Sequence, residues 1–98
     1  MTIIGAENLL RFKSDKAAAR SLSAWREICE KATWRQFSDV RCQFPNADSV
    51  GDCVVFNIRH NRYRVIAKVA YSLGIVTIRS VLTHAEYDRG GWKNGCGR

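Results

Sequence analysis

Apolar and polar residues alternate along two stretches in the second half of the chain, Asn61 to Val69 and Val76 to Leu82. A period of two marks β-strands, because successive side chains point to opposite sheet faces. In the first stretch Val65, Ala67, Val69 and Tyr71 fall on one side, and Arg64, Ile66, Lys68 and Ala70 on the other. In the second, Val76, Ile78 and Leu82 share a side opposed by Thr77 and Arg79. A third strand begins after Asp52, with Val54, Phe56 and Ile58 on one face and Val55 and Asn57 on the other. His60 and Asn61 separate it from the next strand, and asparagine tolerates the positive φ of tight hairpins. Pairing Arg59 with Arg62 sets Ile58 opposite Tyr63, Phe56 opposite Val65 and Val54 opposite Ala67, all apolar pairs. Leu73-Gly74 is the natural second turn. It sets Tyr71 opposite Val76, Val69 opposite Ile78 and Val65 opposite Leu82, which places Lys68 directly across from Arg79.

The first half has the longer period of helices. Ser14 and Asp15 are N-cap residues for a helix over 16–32. Ala18, Leu22, Trp25, Cys29 and Ala32 recur at spacings of four and three, a single stripe that packs on a sheet. Met1 to Ile4 reads as a short edge strand, Ala6 to Phe12 as one or two helical turns, and Ser38 to Cys42 as a short helix that Pro45 ends. Asn46 to Gly51 reads as a loop. Gly90 to Arg98 is glycine-rich and is expected to fray.

The 98 residues make one domain, 1–98, of class α+β. A hydrophobic fraction of 46% is enough for a core, which argues against global disorder. No apolar run approaches the roughly 20 residues of a spanning helix, and Met1 to Gly5 lacks a basic leader followed by an apolar stretch. A cytoplasmic protein without a membrane partner is therefore expected. Cys29, Cys42, Cys53 and Cys96 stand apart, with no C-x-x-C pair and no ligand-spaced histidine. They are expected to be free thiols, Cys29 and Cys53 as core filler, with no metal and no cofactor.

The net charge of +7 changes the picture, because it concerns partners: nucleic acid, an anionic surface or an acidic protein. Arg64, Lys68 and Arg79 lie on the non-core face of adjacent strands with Asn57, and cations are rarely set there for stability. Like charges facing one another are unfavourable unless an anion lies between them. Thr83-His84-Ala85-Glu86-Tyr87-Asp88 follows the strand bearing Arg79 and carries an imidazole, a phenol and two carboxylates. These groups are suited to acid–base chemistry. Taken singly, each also has an ordinary reading: Tyr87 as a packed aromatic, His84 as a solvated loop residue, Asp88 as a cap or an arginine partner.

The segments Val54-Val55-Phe56-Asn57-Ile58, Asn61-Arg62-Tyr63-Arg64-Val65-Ile66, Ile78-Arg79-Ser80-Val81 and Thr83-His84-Ala85-Glu86-Tyr87-Asp88 resemble the HigB family of bacterial toxins. Phe44-Pro45-Asn46-Ala47-Asp48 and Trp25 extend the likeness to most of the chain up to Asp88. These proteins are the toxin halves of type II toxin–antitoxin pairs, distantly similar to RelE. The resemblance implies a RelE-like fold, with N-terminal helices on one face of an antiparallel sheet. It also implies an mRNA endonuclease, acting on translated message in the ribosomal A site. The implied partners are the ribosome, the mRNA and a HigA-type helix-turn-helix antitoxin, with operator DNA reached only through the antitoxin. The positions it marks as catalytic are Arg64, Arg79, His84 and Tyr87. Asn57, Asn61, Lys68 and Asp88 are RNA-binding candidates. A non-catalytic nucleic-acid-binding module using the same basic face is the alternative. Paired aromatics of an RNA-recognition sheet are lacking there.

Overall fold

The computed structural model describes residues 1–97. Five strands form one sheet: β1 (Thr2–Ile4), β2 (Asp48–Val50), β3 (Cys53–Ile58), β4 (Tyr63–Ala70) and β5 (Ile75–Thr83). Their order is β1-β5-β4-β3-β2. The neighbours β2 to β5 run antiparallel, while β1 lies parallel to β5 at the edge. The sheet is thus mixed rather than wholly antiparallel. Ser49 pairs with Val54, so part of the expected loop 46–51 is a short edge strand.

Three α-helices, α1 (Lys16–Lys31), α2 (Phe37–Gln43) and α3 (His84–Arg89), and a 3-10 segment over Ala6–Phe12 complete the main elements. The Asp15 carboxylate accepts from the Ala18 amide and caps α1, as its sequence promised. The whole α1 stripe is buried, including Ala32 just beyond its end, and Trp25 meets Phe56 edge-on at 5.1 Å. Val54, Phe56, Ile58, Val65, Ala67, Val76 and Ile78 face this core. Burial among them pushes the Cys29 thiol up to about 12, so it is an inert packing group.

The first hairpin has the expected register, including Asn57 opposite Arg64. The second does not. Tyr71–Leu73 leaves the strand as a 3-10 turn, and Gly74 at φ +67° returns the chain. Val69 then pairs with Val76 and Lys68 with Thr77, not with Arg79. The register shifts between Ile66 and Ala67, which pair with Ser80 and Ile78 and leave Arg79 as the extra residue of a bulge. Beyond it Val81 turns into the core and Leu82 to the other face, the reverse of simple alternation.

The outer edge of β5 outruns β1 and needs other partners. Asn8 donates to the Ile78 carbonyl at 2.9 Å and Arg11 to the Val81 carbonyl at 2.8 Å. Gly5, at φ +81°, lies so close that a Cβ there would approach the Ile78 oxygen to 2.6 Å.

The segment expected to fray folds back as a 3-10 helix over Gly91–Cys96. Arg98 lies outside the described residues. Cys53 and Cys96 are not free thiols: they form a disulfide spanning 43 residues, with Cα atoms 5.2 Å apart. Only Cys29 and Cys42 remain as thiols.

Candidate active site

The non-core sheet face is only partly solvated. Cys53, Val55, Ile66 and Cys96 form a second, small apolar cluster, covered by Val50, Leu82, Tyr87 and Trp92. Tyr87 comes from α3 and Trp92 from the 3-10 tail. The candidate residues are arranged around this cluster.

Arg64 is 8% exposed and lies beneath Tyr87, its guanidinium 4.8 Å from the ring centroid. Its Nη1 donates to the Asn61 carbonyl at 2.6 Å. Asn61 belongs to a connection in which Arg59, His60 and Asn61 all have positive φ, where only asparagine was expected to. Such conformations cost on the order of 1 kcal/mol or more each and need a surrounding that holds them. The Arg64 contact is one such restraint. Asp15 supplies another, accepting from Tyr63 Oη at 2.8 Å and pairing with Arg59 at 3.4 Å. The Ala18 amide and the Tyr63 hydroxyl together hold the Asp15 carboxyl below its usual range, and the same bond raises the Tyr63 phenol.

His84 and Tyr87 project from α3, which starts where β5 ends. Thr83 caps the helix in a full capping box with Glu86. Glu86 also pairs with Arg11. The Arg11 hydrogen bond, then the Thr83 amide, lower its carboxyl to about 2. Glu86 is therefore a structural anchor that fixes the angle of α3. His84 Nε2 stands 3.2 Å from Asp88 Oδ2, one turn along, and both side chains are well exposed. Tyr87 and His84 are three residues apart, near neighbours on the helix surface.

Arg79, placed on the bulge, is exposed and lines a cleft of about 250 Å³ with Ile66, Ser80, Trp92 and Cys96. Lys68 lines a separate, open groove of about 550 Å³ with Thr77, Ser49 and Asp52. Asn57 borders a third depression beside Phe44 and Asn46. The expected convergence of Arg64, Lys68 and Arg79 on one point is not found: Lys68 and Arg79 line separate depressions, and Arg64 is buried beneath Tyr87. None of the three makes a salt bridge among the described residues. Three of the four catalytic candidates are nonetheless linked: Arg64 lies on Tyr87, Tyr87 on Trp92, and Trp92 shares the cleft of Arg79.

Sequence reasoning named Trp92 only as a stacking platform of the alternative binding module, and missed its contact with Tyr87 and the anchoring pair Arg11–Glu86. No group of three or more His, Cys, Asp or Glu is placed to hold a metal ion among the described residues. No helix among them is long and apolar enough to cross a membrane.

No curated protein matches the chain. The family model HigB_toxin, described as the RelE-like toxic component of a toxin-antitoxin system, matches residues 18–90. That span takes in α1 from Ala18 onward, the hairpins and α3. With α1 packed on one face of a five-stranded sheet and α3 beside the other, the chain belongs to the HigB toxin family, the toxic half of a toxin–antitoxin pair.

Proposed function

We propose that this toxin is an endoribonuclease that cuts translated mRNA in the ribosomal A site by metal-independent acid–base chemistry, and so stops translation and growth. One observation carries the reading: Lys68 and Arg79, neither in a salt bridge among the described residues, lie on the sheet face beside the helix that bears His84 and Tyr87. RNA brings its own nucleophile, the 2′-hydroxyl next to the scissile phosphate. The enzyme must take its proton, stabilise charge on the phosphorane-like transition state and protonate the 5′-oxygen that leaves. Arg79, exposed on its bulge, serves the second task with a fork that matches two phosphate oxygens. Lys68 binds a neighbouring phosphate, with Asn57 and Asn61 along the same track. Arg64, drawn under Tyr87, holds that ring in place. His84, with Asp88 against it, and Tyr87 divide the two proton transfers. The products are a 2′,3′-cyclic phosphate and a 5′-hydroxyl. A HigA-type helix-turn-helix antitoxin silences the toxin, and its DNA-reading module brings the pair to the operator. A basic face favours fast capture by an acidic inhibitor segment.

Arg79→Ala and His84→Ala are each expected to relieve growth arrest, with loss of about 100-fold or more in cleavage. Fold, by circular dichroism, and antitoxin binding should be retained. Mapping of message ends after induction is the direct readout. Full toxicity of both variants overturns the site. Arrest without new message ends supports the binding-module reading instead.

A further inference from the structure

The C-terminal segment is used neither by the family match, which ends at residue 90, nor by the chemistry above. It is nevertheless tied to the site by several contacts. The Cys53–Cys96 disulfide joins it to β3. The Asp52 amide donates to the Cys96 carbonyl at 2.8 Å. The Trp92 indole stacks on the Tyr87 ring, with centroids 5.0 Å apart and planes within 15°. Its Nε1 donates to the Tyr87 carbonyl at 2.9 Å. Arg79 touches the same segment, since a Cβ on Gly95 would lie 2.9 Å from its Nη2. The tail therefore meets one candidate group from α3 and another from β5.

From these contacts we infer that Trp92 is a positioning residue for Tyr87, and that the Cys53–Cys96 disulfide is the latch that keeps it there. The inference rests on the reading of Tyr87 as a participant in RNA cleavage. Arg64 lies over the Tyr87 ring and Trp92 stacks on it as well, so both compete with a base for the ring. Its hydroxyl, at the ring edge, is the part left to act. This selects proton transfer over base stacking as the work of Tyr87. Lys93, 5.8 Å from the Trp92 ring, adds a cation to the same stack.

The latch makes the arrangement sensitive to redox state. A dithiol reductant attacks one sulfur and forms a mixed disulfide, and its second thiol then displaces the bond. Two electrons and two protons pass to the pair, giving two cysteine thiols, and the reductant becomes the disulfide. Exchange with an oxidised dithiol reverses the step. Both cysteines are 1% exposed, so exchange requires the segment to lift, and Gly90 and Gly91 supply the hinge. Once cut loose, a six-residue 3-10 helix has little stability of its own. The toxin is potent when latched and attenuated when reduced.

The test uses full-length toxin labelled with 3-fluorotyrosine. The chain has three tyrosines, and the Tyr87 fluorine resonance is the one absent from Tyr87→Phe. Dithiothreitol, Trp92→Ala and the double change Cys53→Ser with Cys96→Ser should each move that resonance toward free fluorotyrosine. The Tyr63 and Tyr71 signals should stay in place and report an intact fold. In a thiol-free reconstituted translation mixture the same three perturbations should lower the maximal cleavage rate roughly tenfold to 100-fold with KM little changed. Trp92→Phe should keep most of the rate, and dithiothreitol should leave the serine variant unaffected. A Tyr87 signal indifferent to reduction and to Trp92→Ala overturns the proposal. So does a moved signal with an unchanged rate, or a loss confined to KM, which would make Trp92 an RNA contact. No cleaved message from oxidised wild-type toxin removes the nuclease reading instead, while the fluorine signal still reports the latch.

Discussion

Arg64 is the residue whose replacement tests the site geometry most sharply, because burial has given a cation two internal tasks. Its guanidinium covers the Tyr87 ring at 4.8 Å while only 8% exposed, so the contact lies toward the desolvated end of cation–π strength, about 2 kcal/mol. Its Nη1 bond to the Asn61 carbonyl, at 2.6 Å, has an ionised donor and contributes about 1.5–3 kcal/mol net. Arg64→Ala should therefore destabilise the fold by roughly 3.5–5 kcal/mol, a fall in Tm of about 17–25 °C for a domain of this size. Arg64→Lys keeps the charge and loses the flat surface, and should cost about half as much. The assay is thermal and guanidinium unfolding of both variants, with Tyr87→Ala completing a double-mutant cycle. Tyr87→Ala also breaks the Trp92 stack, but that loss cancels in the cycle. The coupling energy should be about 1–2 kcal/mol. A coupling below roughly 0.3 kcal/mol, or equal losses for lysine and alanine, would refute the argument that the guanidinium plane organises Tyr87.

Two further outcomes follow from the elements that aim α3 and β5. The Glu86 carboxyl is lowered from 4.5 to about 2 by Arg11 and Thr83, so the unfolded chain binds its proton first as pH falls. Its stabilisation is complete above the unfolded value and is lost between about 4.5 and 2. Glu86→Gln should flatten the acid limb of Tm against pH in that window, with the wild-type effect reduced by salt. An unchanged acid slope would show that the capping box carries no such linkage. Gly5→Ala forces a Cβ against the Ile78 carbonyl at positive φ, and should destabilise by about 1–3 kcal/mol. Chemical denaturation checks this, and a neutral result would mean that the first turn can move off β5 without loss.

Local pattern carried much of the architecture. The α1 stripe from Ala18 to Ala32, the Asp15 cap, the β3–β4 register and the turn glycine at 74 all follow from spacing and intrinsic backbone preference. These interactions are made within a few residues or between strands joined by a tight turn, so one-dimensional periodicity suffices. The HigB likeness was likewise legible from the asparagine-aromatic-arginine stretch and the Thr-His-x-Glu-Tyr-Asp ending. Tertiary contacts settled the rest. Alternation read straight through Arg79 missed the bulge, because an extra residue is tolerated only where Gly5, Asn8 and Arg11 from the N-terminal turn support the free edge of β5. The same shift replaced the Lys68–Arg79 pair with Lys68–Thr77. Gly90 to Gly97 has the composition of a loose end, but Cys53 lies 43 residues away in sequence and 5.2 Å away in space from Cys96. No periodicity encodes that encounter. It exists because the second sheet face is left with apolar Val55 and Ile66 uncovered, and burying them beneath Trp92 and Tyr87 draws the tail, and with it the surroundings of Arg64 and Arg79, into place.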